Sequence, residues 1–186
     1  MRAVTKHYQD PLDVIWIHAA NRLGMQIRRS SEVFASWDGR GTLTIGTPET
    51  LDADDSLAQM IFHEICHALC EAPVGLSEPD WGLQSDNPAH RVREYACLRL
   101  QAALADEFGL RSLMASTTIY RRYFDRIPEQ ALEDEDDPAV LIAREALVRL
   151  QEGDWCQPLR EALQQTSDIH RVIHRISPPQ SVWSCD

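Results

Sequence analysis

The segment from residue 56 to about residue 72 decides more about the fold than any other part of the chain, because it predicts a long helix with two different faces. Its apolar residues recur at helical spacing, which is typical of a helix that packs on a core. These residues are Leu57, Ile61, Ile65, Ala68, Leu69 and Ala72. The opposite face carries Met60, His63, Glu64, His67, Cys70 and Glu71. Such a helix can bury one face in the core and form the floor of a cleft with the other.

The residues before this helix predict one more helix and a small sheet. Asp10 and Pro11 are typical of a helix start, and Gly24 ends the apolar repeat that follows them. Short strands are predicted at residues 25–29, 32–36 and 42–45. We expect the sheet to be mostly antiparallel, and the strand at 42–45 to be able to pair with an extended partner along a free edge.

The residues after the central helix predict mostly helices. A long loop is expected at 73–87, and the residue pair Asn87-Pro88 starts a helix that ends before Gly109. Further helices are predicted at residues 112–124, 138–151, 158–165 and 168–176, with an irregular tail at 177–186. The predicted class is α+β, in a single domain over residues 1–186. Its core covers about 10–109 and a helical extension covers about 110–176.

Composition excludes several classes of protein. The net charge of −11 argues against nucleic acid as the main partner, because such binding depends on clustered cations. The acidic run at 133–137 predicts a solvated loop. No apolar run reaches the roughly 18 residues of a membrane span, and the first residues lack a secretory signal. Five cysteines without a CxxC pair predict reduced thiols, so we expect a cytoplasmic protein without membrane partners.

The polar face of the central helix contains the pattern HExxH, from His63 to His67. Residues four apart lie about 40° apart around a helix, so both imidazoles can reach one metal ion. Zinc is the ion that this residue pattern predicts, with Glu64 placed beside it to take up a proton.

A catalytic zinc site needs a third protein ligand, and Glu94 is the best candidate. Glu94 falls within the apolar arc of the helix predicted at 88–108, where a carboxylate is costly unless it is paired. His90, one turn earlier, is the second candidate and could instead bind substrate. Glu71 could also approach the metal or hold the free N–H of a histidine. The residues leave the choice between Glu94 and His90 open.

The HExxH pattern, a loop and then a helix with Glu94-Tyr95-Ala96-Cys97 resemble the glutamate-zincin class of zinc metallopeptidases. The predicted strand just before the motif helix is similar to that of the ImmA/IrrE-like metallopeptidases. The resemblance covers about residues 10–109. It departs from the usual motif at Cys66, where a glycine is usual.

The resemblance implies a zincin-like core in which His63, His67 and Glu94 bind Zn²⁺ and Glu64 is the general base. The expected activity is hydrolysis of a peptide or protein substrate. The alternative is a non-catalytic zincin-like module that binds metal or a protein partner. A group that stabilises the oxyanion is also expected, and the candidates are His90, Tyr95, Tyr120, Tyr123, His170 and His174. Cys66, Cys70 and Cys97 are expected to be buried apolar residues in preference to redox groups, and Trp37 and Trp81 to pack locally in loops.

Overall fold

The computed structural model describes residues 3, 5–84, 87, 90–117, 119–134 and 136–184. Over these residues the chain has six α-helices and three strands, which confirms the predicted α+β class. The helices are α1 (Pro11–Arg22), α2 (Leu57–Glu71), α3 (Arg91–Asp106), α4 (Arg121–Phe124), α5 (Pro138–Glu152) and α6 (Cys156–Ile173). The strands are β1 (Gln26–Ser30), β2 (Ala35–Trp37) and β3 (Thr42–Gly46). None of the helices in this part of the chain combines the length and apolar character that a membrane crossing requires.

The sheet is mixed, so the prediction of a mostly antiparallel sheet is wrong. The strand order is β1-β3-β2, with β1 parallel to β3 and β2 antiparallel to β3. Alternation of apolar residues predicts strands but does not say which strands become neighbours. Because β3 is the central strand, it has no free edge, and the expectation that it could pair with an extended partner is also wrong. Of the two edge strands, β1 packs against α1, whereas β2 packs against the turn at residues 79–82 that follows the motif helix.

Helix α1 starts as predicted and contacts both α2 and α6. The Asp10 carboxylate accepts a hydrogen bond from the backbone N–H of Leu12 at 2.8 Å, which caps the helix. The Trp16 ring is fully buried and packs on Phe62 of α2, with ring centroids 5.1 Å apart. Its indole N–H donates to the Thr166 hydroxyl of α6 at 3.0 Å. A single side chain therefore connects α1, α2 and α6.

Helix α2 is buried along its whole length and packs against α1, α3 and α5. A capping box begins it, because Ser56 and Gln59 each accept a hydrogen bond from the other's backbone N–H. Its last turn has no basic residue of its own. Arg149 of α5 supplies the cation instead and donates to the carbonyls of Leu69 and Cys70. The motif helix is thus held at both ends.

The prediction of a helix at 112–124 is wrong, since only α4 forms there. The carbonyls of Met114 and Ala115 accept hydrogen bonds from the side-chain amides of Gln101 and Gln59, respectively. These two amides come from distant helices, and they hold the segment in an irregular path. Local propensity cannot predict such tertiary hydrogen bonds.

The two helices predicted at 158–165 and 168–176 are one continuous helix, α6. From the sequence, Thr166 and Ser167 suggest a break between two helices, but both residues are buried within α6. Their hydroxyls donate to carbonyls, Thr166 to Ala162 within the helix and Ser167 to Phe108 outside it. Satisfied hydroxyls of this kind remove the reason for the helix to end.

Two further sequence predictions involve residues that lie partly outside the described part of the chain. The start of the helix at Asn87-Pro88 depends on Pro88, which lies outside the described residues, and α3 begins at Arg91. The acidic run is only partly solvated, because Asp134 and Asp137 both pair with the buried Arg99 of α3. Glu135 of the same run lies outside the described residues.

Candidate metal centre

Helices α2 and α3 bring His63, His67 and Glu94 together. The Nε2 atoms of His63 and His67 lie 3.1 Å apart. The carboxylate of Glu94 faces both rings, with one oxygen 3.4 Å from Nε2 of His63 and the other 3.2 Å from Nε2 of His67. Both histidines are buried, so these atoms face one another rather than bulk water. The three residues predicted as metal ligands therefore converge on one point.

The spacing of these atoms fits a small tetrahedral cation. Ligand atoms about 2.0–2.1 Å from a tetrahedral zinc ion lie about 3.3–3.4 Å from one another. The observed separations of 3.1, 3.2 and 3.4 Å are equal to or slightly shorter than these values, with a different oxygen of Glu94 facing each imidazole. Among the described residues, Oε1 of Glu94 is buried without a hydrogen-bond partner, as is Nδ1 of His67. A bound cation would satisfy the Glu94 oxygen.

The pKa values of His63 and Glu94 in the metal-free protein also show that the site favours a positive charge. Burial alone would lower the pKa of His63, but the Glu94 carboxylate outweighs it and raises that pKa to about 9. Burial alone would raise the pKa of Glu94, but His67 and His63 hold it below its usual range. The site therefore places a carboxylate where a positive charge is favoured, whether that charge is a proton or a metal ion.

The far side of the His63 ring is fixed by a second residue of α3. Nδ1 of His63 lies 2.9 Å from Oε1 of Gln101, and the Gln101 amide nitrogen donates to the carbonyl of Met114 at 2.8 Å. Because the amide nitrogen is committed to Met114, its oxygen must accept from His63. In the neutral ring, the form that binds a metal ion in place of a proton, this contact puts the His63 proton on Nδ1 and leaves the lone pair of Nε2 facing His67 and Glu94.

Cys97 forms a second group with the same two histidines. Ligand atoms of His63, His67 and Cys97 all lie within 4.8 Å of one another, and all three residues are buried, so this group could hold a metal ion. The Cys97 sulfur lies 3.6 Å from Nδ1 of His63, the ring atom that Gln101 also contacts. Burial raises the pKa of the Cys97 thiol well above its usual value, and the neighbouring Cys66 raises it further. The thiol therefore approaches the ring from the side opposite to Glu94.

Glu64 lies beside the histidines, and a loop residue holds its carboxylate. The indole N–H of Trp81 donates to Oε2 of Glu64 at 2.7 Å, and both side chains are buried. Trp81 stacks on Trp37 of β2, with ring centroids 4.5 Å apart and planes 8° from parallel. The prediction of a loop is wrong for Trp37, which lies in β2. The expectation of local packing is also wrong, because these rings stack across 44 positions of the sequence and Trp81 reaches Glu64.

A cleft of about 420 Å³ opens in front of these residues. It is lined by His63, Glu64, His67, Glu94 and Trp81, by Phe34, Ala35 and Ser36 at the start of β2, and by Ile119 and Tyr120 on the opposite side, among others. The N–H of Trp37 points away from β3, because it donates to Asp80 at 3.1 Å. Backbone groups alternate in direction along an antiparallel pair, so the N–H and C=O of Ala35 also face the free edge.

Two other predicted site residues lie outside the ligand cluster. His90 lines the cleft, with Nδ1 accepting from the backbone N–H of Gln84 at 2.7 Å and Nε2 lying 3.4 Å from the side-chain nitrogen of Asn87. Glu71 pairs with Arg93 and lines a separate cavity. Burial raises the pKa of Glu71, against the opposing effect of Arg93. Neither residue is brought to the metal-ligand position by this structure.

The candidates for an oxyanion-stabilising group separate in the same way. His90 and Tyr120 line the cleft. Tyr95 and Tyr123 stack on each other, with ring centroids 3.7 Å apart, and neither lines the cleft. His170 and His174 lie at the end of α6, where His170 stacks on Trp183. Of these six candidates, His90 and Tyr120 are therefore the two whose position allows contact with a substrate in the cleft.

Sequence reasoning missed the roles of Gln101, Trp81 and Asp80. Gln101 carries a signal, because it is a polar residue in the apolar arc of α3 and shares that arc with Glu94. The sequence gives no corresponding signal for the roles of Trp81 and Asp80, because they lie in a loop whose path local sequence does not determine.

Comparison with known proteins adds no relative. A scan against protein-family models, a search of curated proteins and a search of solved structures each gave no match to this chain. The site must therefore be interpreted from its own geometry.

Proposed function

We propose that this protein is a zinc-dependent metallopeptidase with a zincin-like core, of the kind that the ImmA/IrrE-like enzymes represent. One observation carries the proposal: His63, His67 and Glu94 converge at separations of 3.1 to 3.4 Å, next to an open cleft. A hydrolytic zinc site needs three protein ligands and an open position. Glu94 is preferred to His90 as the third ligand, because its carboxylate oxygens lie 3.4 and 3.2 Å from the Nε2 atoms of His63 and His67. Nδ1 of His90 accepts from Gln84, so the neutral His90 ring has its proton on Nε2 and no lone pair left for a metal ion.

Zinc is the preferred metal because of the chemistry of these ligands. Two imidazoles and one carboxylate form a ligand set that catalytic zinc sites commonly use. Gln101 holds His63 in the tautomer that leaves Nε2 free to coordinate. A bound zinc ion would supply a Lewis acid that lowers the pKa of a water molecule and polarises the scissile carbonyl.

The residues of the chain itself would perform the remaining steps. Glu64 lines the cleft and would take the proton of the attacking water, then pass it to the nitrogen of the leaving amine. An extended peptide would lie along the free edge of β2, where Ala35 can both donate and accept a backbone hydrogen bond. His90 or Tyr120 would donate to the developing oxyanion from the cleft wall.

Substitution of Glu64 tests the proposal. Glu64→Gln removes the base and keeps the size of the side chain, so we expect zinc content to equal that of the wild type. Cleavage of a library of unstructured peptides should fall by about 10²–10⁴-fold. The measurements are zinc by elemental analysis and cleavage by mass spectrometry. Unchanged cleavage in the zinc-loaded variant would contradict the role of Glu64.

A second function has one observation in its favour. Cys97 lies close enough to join the histidines, and with Glu94 it would complete a set of four protein ligands. Four protein ligands make a closed, structural zinc site without an exchangeable position. A cobalt-substituted protein distinguishes the two functions, because a thiolate ligand produces a sulfur-to-metal charge-transfer band. We expect no such band; its presence would favour the non-catalytic, structural alternative.

A further inference from the structure

We infer that Trp81 is a positioning residue that fixes the orientation of the Glu64 carboxylate, and that Asp80 anchors Trp81 for this purpose. The inference rests on the proposed function, because it concerns the general base of the same site. Nothing in the HExxH pattern itself requires a tryptophan seventeen positions later.

The contact with Glu64 is short, buried and directional. The Trp81 N–H lies 2.7 Å from Oε2 of Glu64, with Trp81 4% and Glu64 7% exposed. An indole N–H can only donate, so it cannot compete with Glu64 for the proton. A carboxylate is planar, and a hydrogen bond at one oxygen therefore fixes the direction of the other. Hydrogen bonds to a charged acceptor in a buried site are also stronger than neutral ones.

The ring of Trp81 is itself held in place. Its stacking on Trp37 at 4.5 Å sets the plane of the indole. The indole N–H of Trp37 donates to the carbonyl of Leu76 at 3.0 Å, which fixes the partner ring as well. The N–H of Trp81 consequently points at Glu64 along a direction that two rings define.

The backbone at this position is strained, which indicates that the contact is maintained against a cost. Asp80 and Trp81 have φ angles of 49° and 61°, the left-handed region that non-glycine residues avoid. This conformation brings Cβ too close to the following carbonyl oxygen, so each such residue raises the energy of the folded chain. Two consecutive strained residues persist only when their surroundings over-determine them, and such residues cluster at functional sites.

Asp80 provides the anchor. Its Oδ1 accepts from the Ser36 hydroxyl at 2.9 Å and from the Trp37 N–H at 3.1 Å. These bonds attach the strained segment to β2, the strand that borders the cleft. The pair Asp80-Trp81 thereby connects the sheet edge with the carboxylate on α2.

Replacement of a single atom tests this inference without emptying the space that Trp81 fills. Benzothienylalanine, introduced only at position 81, keeps the shape of the ring but replaces N–H with sulfur. We expect kcat to fall about 10–100-fold, because misorientation of a catalytic group costs this much. KM and zinc content should stay at wild-type values, and the variant should still unfold in one cooperative thermal transition. The matched control is the same replacement of the buried Trp16, whose N–H donates to Thr166 away from the cleft; it should leave kcat unchanged.

A second measurement needs neither zinc nor peptidase activity. In the ¹H–¹⁵N spectrum of the metal-free protein, the Trp81 indole resonance is the one that the replacement at position 81 removes. We expect Glu64→Gln to move this resonance upfield and to speed its exchange with solvent about tenfold, while the Trp16 resonance stays in place. A Trp81 resonance indifferent to Glu64→Gln, or wild-type kcat after the replacement, would overturn the inference. A wild-type protein that binds zinc but cleaves nothing would instead overturn the proposed function.

Discussion

Glu94 and Cys97 lie one helical turn apart on α3, and each approaches the same pair of imidazoles. Glu94 faces the Nε2 atoms, whereas Cys97 lies near Nδ1 of His63. A ring nitrogen that donates to Gln101 has no lone pair for a metal ion. Burial also raises the pKa of the Cys97 thiol, and only the thiolate is a good ligand. Both arguments favour Glu94 at the level of single atoms.

Zinc affinity separates the two residues. Glu94→Gln removes the charged ligand, so we expect the dissociation constant for zinc to rise by at least about 100-fold, more than the loss of an outer-shell partner produces. Cys97→Ala should change it less than about threefold. Competition titration against a chromogenic chelator measures both values. The opposite order, with Cys97→Ala the more damaging, would identify the thiol as the ligand.

Individual residues of the site differ in how well the sequence predicts them. His63, His67 and Glu94 follow from helical geometry and from the cost of burying a carboxylate, and both are local or general rules. Trp81 and Asp80 could not be predicted, because a left-handed backbone at two non-glycine residues contradicts local preference. Their position depends on contacts with Glu64, Ser36 and Trp37, which only the folded chain provides.

At the level of elements, one buried arginine joins α3 to the start of α5. Arg99 is 3% exposed and donates to Asp134 and Asp137, at 2.9 Å in each case. Tyr123 accepts from Arg99 and donates to Asp137, and burial raises the pKa of its phenol. Asp137 also caps α5 through the N–H of Ala139. This network holds the irregular segment before α5 against α3.

The charge of Asp137 should stabilise the fold only above acidic pH. Burial alone would raise the pKa of Asp137, but the hydrogen bonds from Tyr123, Ala139 and Arg99 hold it below the usual 3.8. A lowered pKa contributes stability above the unfolded-state value, and this stability disappears as the pH falls through the folded-state value. Asp137→Asn keeps the helix cap and loses the charge.

We expect Asp137→Asn to lower the free energy of unfolding by about 1.5–3 kcal/mol at pH 7, typical for a hydrogen bond to a charged group. The difference from the wild type should stay constant down to about pH 4 and then shrink. Urea unfolding at several pH values measures it. Arg121→Gln, at an exposed ion pair with Asp125, serves as the control and should change stability by less than about 1 kcal/mol. A difference that grows towards acid would contradict this prediction.

The sequence predicts best those helices and strands whose determining contacts lie within a few residues of the element itself. The N-terminal caps of α1 and α2 lie within four residues of the helix that they start, so the sequence predicts both helices closely. The segment at 112–124 has helical composition, but side chains from α2 and α3 take its carbonyls. Strand pairing in the small sheet likewise depends on which strands meet, and alternation does not encode that.

At the level of the whole molecule, the motif helix α2 is enclosed by elements from both halves of the sequence. Helix α1 covers it from the N-terminal side of the chain, and α5 covers it from the region predicted as an extension. Helix α6 packs on α1 and returns the chain to its beginning. The region beyond residue 110 is therefore part of the support of the site.

A fragment of residues 1–110 tests this dependence. Without α5 and α6, apolar faces of α1, α2 and α3 would lie in water, so we expect the fragment to lack a cooperative thermal transition and to bind no zinc. The full chain should unfold in one transition by calorimetry, with equal calorimetric and van't Hoff enthalpies. A folded, zinc-binding fragment would show that the core stands alone and that the C-terminal helices form a separate unit.

Under the proposed function, Asp80 also sets a limit on how many backbone hydrogen bonds a bound peptide can form with β2. Its carboxylate already occupies the N–H of Trp37, so a ligand laid along β2 reaches the outward-facing groups of Ala35 and then meets a negative charge. So few backbone hydrogen bonds contribute little binding energy, and they do not distinguish one ligand sequence from another. Discrimination among ligands must then come from their side chains, fitted against the apolar rings and aliphatic groups of the cleft wall.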